Sequence, residues 1–210
     1  MPARRPSFEG LPYEGALGRL VAPLYDAFLA LNRWYTVPAI RLGLAPLHSN
    51  PLTGSWLLLR TTGRRSGRIR QAPLGYAILD GCVYVCAGFG AAAHWYRNLL
   101  AEPRVEVVLP SAAFAGVAEE VTDPAELDRA WRALIRALGA LGTTFVCPAD
   151  APAETLRAKT RGLPLVRIRP TGIAAGPADP GGLLWLTLAA VGLGWLLRRL
   201  SGILAPRRRS

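Results

Sequence analysis

The stretch TTGRRSGRIRQAPLGY, residues 61–76, decides how the rest of the chain is interpreted. Four arginines and two glycines fall within residues 63–70, between two apolar segments. Such an interruption indicates two strands joined by a tight connection. Glycine lets the backbone turn or approach a ligand closely, and arginine offers forked donors to phosphate or carboxylate. The connection is therefore either a solvated hairpin tip or an anion site, and composition alone leaves both open.

The sequence around this stretch predicts a small, mostly antiparallel β-barrel. Asp80-Gly81 is typical of a two-residue hairpin turn, and Pro110-Ser111 is expected to join two further strands. Too few helices separate the strands for a parallel sheet. The predicted strands are 55–61, 71–79, 82–87, 104–109, 112–121 and 163–169.

Two helices are predicted between the strands. The first is short and covers 94–103. The second begins at Asp123 as N-cap, with Pro124 in its first position and Glu126 closing a capping box, and it ends near residue 141. Six strands with two helices are typical of a closed or split barrel rather than of layers of parallel strands and helices.

The N-terminal segment, residues 1–50, is predicted to be helical. Apolar residues recur at helical spacing between Leu17 and Trp34, and Pro23 is expected to kink or divide the helix. A proline-broken apolar connection follows it. The segment either packs on the barrel or touches lipid. The apolar positions are Leu17, Leu20, Val21, Leu24, Phe28 and Leu31.

The C-terminal part predicts a linker, residues 171–182, and then an apolar helix with a basic tail, residues 183–210. The uninterrupted apolar run, Leu183–Leu197, is shorter than the roughly 20 residues that usually span a bilayer. Arginines beyond the run would lie outside the cell if the helix spanned, against the usual charge bias. Spanning the membrane and lying on its inner leaflet stay open, and either would put the body on the cytoplasmic side of the cell membrane.

The charge is strongly basic, with 25 basic against 14 acidic residues and a net charge of +11. The arginines are divided between a glycine loop and the termini with no aromatic stacking platform, which argues against nucleic-acid binding. Neither the three cysteines nor the two histidines form a metal-ligand pattern. Residues 1–18 contain no apolar run, so we expect no secretory signal peptide. We expect free thiols and no metal site.

Four blocks of sequence together resemble the deazaflavin-dependent nitroreductase family, whose members use coenzyme F420. The blocks are LLLRTTGRRSGRIRQAPLGY, VYVCAGFG, HWYRNLLAEPRVEV and LPLVRIRP. The resemblance covers residues 51–170 and implies a mainly β fold with flanking helices, a six-stranded split β-barrel of the flavin-reductase-like type.

The resemblance also implies a cofactor site, with F420 expected rather than FMN. The arginine loop would hold the phosphate and glutamate tail, the next strand would follow the ribityl chain and ring, and the second and third blocks would line and close the ring site. No catalytic residue is singled out. The implied residues are Arg64, Arg65, Ser66, Gly67, Arg70, Gln71, Ala72, Pro73, Leu74, Cys86, Ala87, Gly88, Phe89, His94, Trp95, Tyr96 and Asn98.

The expected activity is hydride transfer from reduced F420 to an electron-poor acceptor, a membrane quinone in the first place and a nitro compound or enone otherwise. The alternative is a carrier or storage protein that binds a deazaflavin or flavin and turns nothing over. We expect contact with membrane lipid and none with nucleic acid, while a monomer and a homodimer both stay open.

Overall fold

The computed structural model describes residues 11–12, 15–41, 54–109, 112–174 and 181–204. Four of the sequence-based expectations concern residues outside these described ranges. They concern most of the proline-broken connection, the turn at Pro110-Ser111, the middle of the linker and the arginines at the end of the chain.

Six antiparallel strands form a closed barrel in the order β1-β2-β3-β6-β5-β4. This confirms the predicted fold class, and each predicted strand is present with ends shifted by a few residues. Short turns and cross-strand apolar pairs explain why neighbouring segments pair in this way. The strands are β1 (Trp56–Thr62), β2 (Ile69–Leu79), β3 (Cys82–Cys86), β4 (Arg104–Val108), β5 (Ala113–Glu120) and β6 (Leu165–Ile173).

Helices flank the barrel on both sides. A π-helical segment, Asn32–Thr36, joins the first two α-helices, and a short 3-10 turn, Gly90–Ala92, precedes the third. The α-helices are α1 (Gly15–Leu31), α2 (Val37–Arg41), α3 (His94–Ala101), α4 (Pro124–Ala137), α5 (Gly139–Phe145), α6 (Ala153–Thr160) and α7 (Gly181–Leu204).

The predicted hairpin at Asp80-Gly81 is confirmed by its backbone. Both residues have positive φ, 51° and 74°, as a two-residue turn between right-twisted strands requires. Leu79 and Cys82 pair directly across the turn. This fixes the register between β2 and β3.

Strand β2 changes partner halfway along its length. Its first half, residues 69–75, pairs with β1, and its second half, residues 76–79, pairs with β3. The first half therefore has a free edge on the side away from β1. Pro73, which has no N–H to donate, lies in this half opposite Leu58, as expected for proline in a strand with a free edge.

Alternation along the strands creates two cores on opposite faces of the sheet. In β3, Val83 and Val85 point into the barrel. Tyr84, Cys82 and Cys86 point outwards and pack under α4 with Trp131. Helices α4 and α6 therefore cover the outer face of β3.

Helix α4 begins as predicted, but its capping box is incomplete. Asp123 Oδ2 accepts a hydrogen bond from the Glu126 amide at 2.7 Å. The Glu126 carboxylate does not reach back: it accepts from Tyr84 at 2.8 Å and from Arg167 at 2.9 and 3.0 Å. The expectation that Glu126 closes the box was wrong, because a charged partner on β6 competes for its side chain.

The N-terminal segment differs from its prediction in two ways. Helix α1 continues through Pro23 without dividing, and helical structure extends to residue 41, into the expected connection. Tyr25 is 4% exposed, whereas Leu24 and Leu31 are exposed, and the side chains of Leu17, Leu20 and Val21 lie outside the described residues. Helical periodicity identified the helix, and the aromatic contacts that bury Tyr25 come from distant residues; contact of the exposed side chains with lipid stays a prediction.

The C-terminal end of the barrel extends beyond the predicted boundary. Strand β6 runs to Ile173 and pairs with β5, so residues 171–173 belong to the sheet and not to the linker. Helix α7 is present, and its side chains from residue 188 to residue 199 are all exposed. Among the described residues, no helix is both long enough and apolar enough to cross a bilayer.

We expect Gly54→Ala to destabilise the protein by about 3 kcal/mol, the sum of a left-handed backbone and steric crowding. Gly54 has φ of 77°, and a Cβ there would lie 2.5 Å from Leu138 Cα. The crowding is against backbone, so it cannot be relieved by a side-chain rotation. Chemical denaturation measures the free energy of unfolding.

Two matched glycines separate the causes. Gly81→Ala keeps the positive φ without crowding and should cost about 1 kcal/mol, whereas Gly172→Ala, with open space around it, should change little. Equal losses of unfolding free energy in Gly54→Ala and Gly172→Ala would contradict the close contact between Gly54 and Leu138 at the end of α4.

Candidate functional site

A cleft of about 960 Å³ lies along the free edge of β2. Its walls come from the β1–β2 turn, the first half of β2, the start of α3 and the N-terminal helical segment. The volume falls in the range of small-molecule and cofactor sites. The lining residues that the sequence predicted are Arg64, Arg65, Ser66, Arg70, Gln71, Ala72, Pro73, Leu74, Phe89, His94, Trp95 and Asn98.

The β1–β2 turn is closed by its own backbone. The amides of Ser66 and Gly67 both donate to the Gly63 carbonyl, at 3.0 and 2.8 Å, and the Gly63 amide donates to the Arg68 carbonyl at 2.9 Å. Gly67 adopts φ of 62°. Three of the turn amides are thus used within the turn, so an anion nest built from them is not formed and the guanidinium groups become the main donors.

Asn98 fixes one of these arginines. Its side chain is 4% exposed, and its Oδ1 accepts from the Arg64 amide at 3.3 Å and from Arg64 Nη1 at 3.0 Å. Asn98 Nδ2 donates to the Thr61 hydroxyl at 3.2 Å. The carboxamide therefore links α3, β1 and the turn, which gives Asn98 a positioning role that the sequence could not specify.

Arg65 and Arg70 differ from Arg64 in having no such partner. Both are exposed and line the cleft. Within the described part of the chain, neither forms an ion pair with a carboxylate. Their guanidinium groups can bind an anionic ligand, because no carboxylate of the described residues neutralises their charge.

Along β2 the wall changes from charged to apolar. Arg70 and Gln71 lie next to the turn, and Ala72, Pro73 and Leu74 follow. The distance from Arg70 to Leu74 along the strand is about 13 Å, at roughly 3.3 Å per residue. Trp95, half-buried on α3, adds an aromatic surface to this wall. The cleft can therefore hold an elongated molecule with an anionic part and a flat apolar part.

The N-terminal segment supplies a wall that sequence reasoning missed. Phe89, expected at the cofactor ring, packs edge-on against Tyr25 with ring centroids 4.9 Å apart and lies 5.6 Å from Phe28. Helical spacing of aromatic residues at positions 25 and 28 was the available signal. The residues of this wall are Tyr25, Phe28, Leu29, Asn32, Arg33 and Val37.

Five predicted residues do not line the cleft. Cys86 faces α4 on the outside of the barrel, where burial raises the pKa of its thiol to about 12. Tyr96 is buried in the barrel core and donates to Glu120 at 2.6 Å, and Ala87 is fully buried there. Cys86, Ala87 and Tyr96 thus lie away from the cleft lining, as do Gly67 and Gly88, and a role for these five residues in cofactor binding stays a prediction.

His94 lies at the cleft wall among positive charges. Desolvation, followed by the charges of Arg64, Arg97 and Arg65, lowers the pKa of His94 below its usual value. The imidazole is therefore neutral near pH 7. In that state it can accept or donate a hydrogen bond without adding to the charge of the cleft.

The donor set fits coenzyme F420. A phosphodiester and a glutamate tail need several cationic donors, and a tricyclic ring needs apolar walls; the cleft offers Arg65 and Arg70 next to the Ala72–Leu74 strand edge. Over the described residues, no group of His, Cys, Asp or Glu side chains could hold a metal ion.

Comparison with known proteins gives one family and several solved structures. A conserved hypothetical protein of Mycobacterium tuberculosis is 21% identical over 62% of this chain and 79% of that chain, with a TM-score of 0.45. An F420-H2 dependent reductase is 24% identical over 55% of this chain and 94% of that chain, with a TM-score of 0.42. Similarities at this level support no functional argument.

The family match is more specific. Residues 46–141 match the model of the F420H(2)-dependent quinone reductase family. The matched range includes β1 to β5, the arginine turn and α3. The resemblance found in the sequence is therefore confirmed across this range: this part of the chain is similar to the F420H(2)-dependent quinone reductase family.

Proposed function

We propose that this protein uses reduced F420 to reduce a quinone taken from the membrane. The family match indicates an F420-dependent oxidoreductase, and the nature of the acceptor is the finer part of the proposal. The observation that supports it best is the pairing of Arg65 and Arg70 with the apolar edge of β2 in one cleft. An anionic tail and a flat redox ring match these two parts.

In this proposal the chain binds and orients, and the bound F420 supplies the hydride. Arg65 and Arg70 bind the anionic tail, while Arg64, held by Asn98, keeps the turn in its binding conformation. Ala72, Pro73 and Leu74 support the ring and exclude water. Solvent supplies the proton that completes the reduced acceptor, since no side chain is assigned as a proton donor.

The apolar surface of α7 supports a membrane location for the acceptor. The described side chains of α7, residues 188–199 with Trp195 among them, are exposed on all sides of the helix, and Arg199 stacks over the Trp195 ring with 4.6 Å to its centroid. Trp34, 77% exposed, adds an aromatic side chain beside the cleft wall. Aromatic residues with adjacent arginines suit the interface of an anionic leaflet. The proposal includes that α7 contacts the cytoplasmic leaflet.

Arg65→Gln and Arg70→Gln should each weaken F420 binding about tenfold, the loss of one charge-assisted hydrogen bond. Fluorescence titration of F420 at low salt measures the affinity. Arg129→Gln is the matched control, because Arg129 lies on α4 and pairs with Asp80 at 3.3 Å. Unchanged affinity in both cleft variants would contradict the proposed site.

Stopped-flow mixing with reduced F420 and menadione distinguishes the enzyme from a carrier. The proposal expects loss of reduced deazaflavin at a rate that depends on menadione concentration. Saturable F420 binding without any turnover, with quinones, nitro compounds or enones, would favour the carrier alternative instead.

His94→Gln should reduce the pH dependence of F420 affinity. As the pH falls below the lowered pKa of His94, the imidazole gains a proton and the cleft gains a positive charge, so the wild type should bind the anion more tightly on acidification. Titrations between about pH 7.5 and pH 5.5 measure this. The groups of the ligand itself titrate in the same way with both proteins. An equal pH dependence of F420 affinity in wild type and His94→Gln would therefore contradict an effect of His94 on binding.

Replacing Trp195 and Leu197 with glutamate should abolish sedimentation with vesicles that contain anionic lipid, because two charges enter the apolar surface. Leu100→Glu is the control, since Leu100 is equally exposed but lies on α3. Vesicle sedimentation at several salt concentrations measures binding. If Leu100→Glu lost vesicle binding while the variant with two glutamates on α7 still bound, the role of α7 would be overturned.

A further inference from the structure

The cleft has arginines on both of its walls and, among the described residues that line it, no carboxylate. Arg64, Arg65 and Arg70 lie on the β1–β2 turn and on β2, whereas Arg33 lies on the N-terminal segment. Like charges in one cleft repel each other, and an anion that binds between them relieves the repulsion. The ligand that suits this cleft therefore carries negative charge at more than one position.

The segment that carries Arg33 is anchored on both sides of it. Before Arg33, Tyr25 is buried and packs edge-on against Phe89. After Arg33, Ile40 is buried in a small apolar cluster on the outer face of the barrel. The π-helical residues 32–36 lie between these two anchors and contact β2. Packing on both sides thus positions the backbone of Arg33 at the cleft.

The charge of Arg33 is not neutralised within the described part of the chain. Its side chain is exposed, and none of the ion pairs between described residues includes it. The guanidinium lies over the Trp34 ring, with 5.3 Å to the centroid. Such a cation–π contact attracts the guanidinium but supplies no opposite charge. Arg33 can therefore pair with an anion in the cleft while it contacts Trp34.

Arg33 lies outside the part of the chain that is similar to the quinone reductase family. The match covers residues 46–141, which include the three arginines of the turn and of β2. Arg33 adds a charge on the opposite wall that the matched range does not supply. Its role is therefore inferred from the geometry of this chain alone.

We propose that Arg33 forms a second anion subsite, which binds carboxylates of the F420 glutamate tail beyond the groups held by Arg65 and Arg70. The tail is a chain of γ-linked glutamates, and every added glutamate adds one carboxylate. A longer tail reaches further from the phosphodiester, so it can connect the turn with the opposite wall. F420 affinity then increases with tail length. The inference rests on the proposed function for the identity of the cofactor, but not for the acceptor.

The test compares F420 that carries two glutamates with F420 that carries six, by fluorescence titration of the full chain at low salt. The wild type should bind the longer form about threefold more tightly, the contribution of one exposed ion pair. Arg33→Gln should bind the two forms equally and keep the wild-type affinity for the shorter form. Because salt screens exposed charges, the wild-type preference should decrease as the salt concentration rises.

Two variants serve as controls. Arg136→Gln removes the same charge from the exposed surface of α4, outside the cleft lining, and should keep the preference for the longer form. Arg33→Lys keeps the charge and should keep part of the preference. Equal affinities of the wild type for the two forms would overturn the inference. An unchanged preference in Arg33→Gln, or an equal loss of affinity for both forms, would also overturn it.

The outcomes separate this inference from the proposed function. If menadione is not reduced while the preference for the longer tail still depends on Arg33, only the proposed function fails. If menadione is reduced but tail length has no effect on affinity, only the inference fails. If Arg33→Gln lowers sedimentation with anionic vesicles and leaves the preference intact, the inference is overturned and Arg33 is assigned to lipid phosphate.

Discussion

The change of partner along β2 is the constraint on which the cleft depends. Because residues 69–75 pair only with β1, one edge of this half strand is left without a sheet partner. The β1–β2 turn then places its arginines at the end of that edge, and the N-terminal segment provides the opposite wall. Full pairing of β2 with β3 would occupy this edge and remove the site.

The arginines of the turn divide into two kinds. Arg64 is held by the buried carboxamide of Asn98 and contributes to the shape of the turn. Arg65 and Arg70 are exposed and unpaired within the described residues, and they contribute charge to the cleft. A cluster of similar residues in the sequence therefore separates into a structural member and binding members once long-range hydrogen bonds are known.

Long-range contacts also decide the surroundings of other residues that the sequence predicted at the site. Phe89 lines the cleft while it packs against Tyr25 and Phe28, whereas Cys86 lies under α4. Alternation within β3 already places Cys82, Tyr84 and Cys86 on one face. Which face is the inner one depends on the helices that cover the sheet, and these come from elsewhere in the chain.

The sequence by itself determined the local features of this protein. The Asp80-Gly81 turn, the strand periods, the start of α4 and the glycine–arginine turn follow from backbone preferences and alternation, and blocks of motif sequence indicated the similarity to the F420H(2)-dependent quinone reductase family. Only the tertiary structure decided that α1 buries Tyr25 rather than Leu24, that Asn98 holds Arg64, and that Asn32 reaches the cleft. The first two contacts join residues 64 and 34 positions apart in the chain, and local sequence patterns contain no information on such pairings.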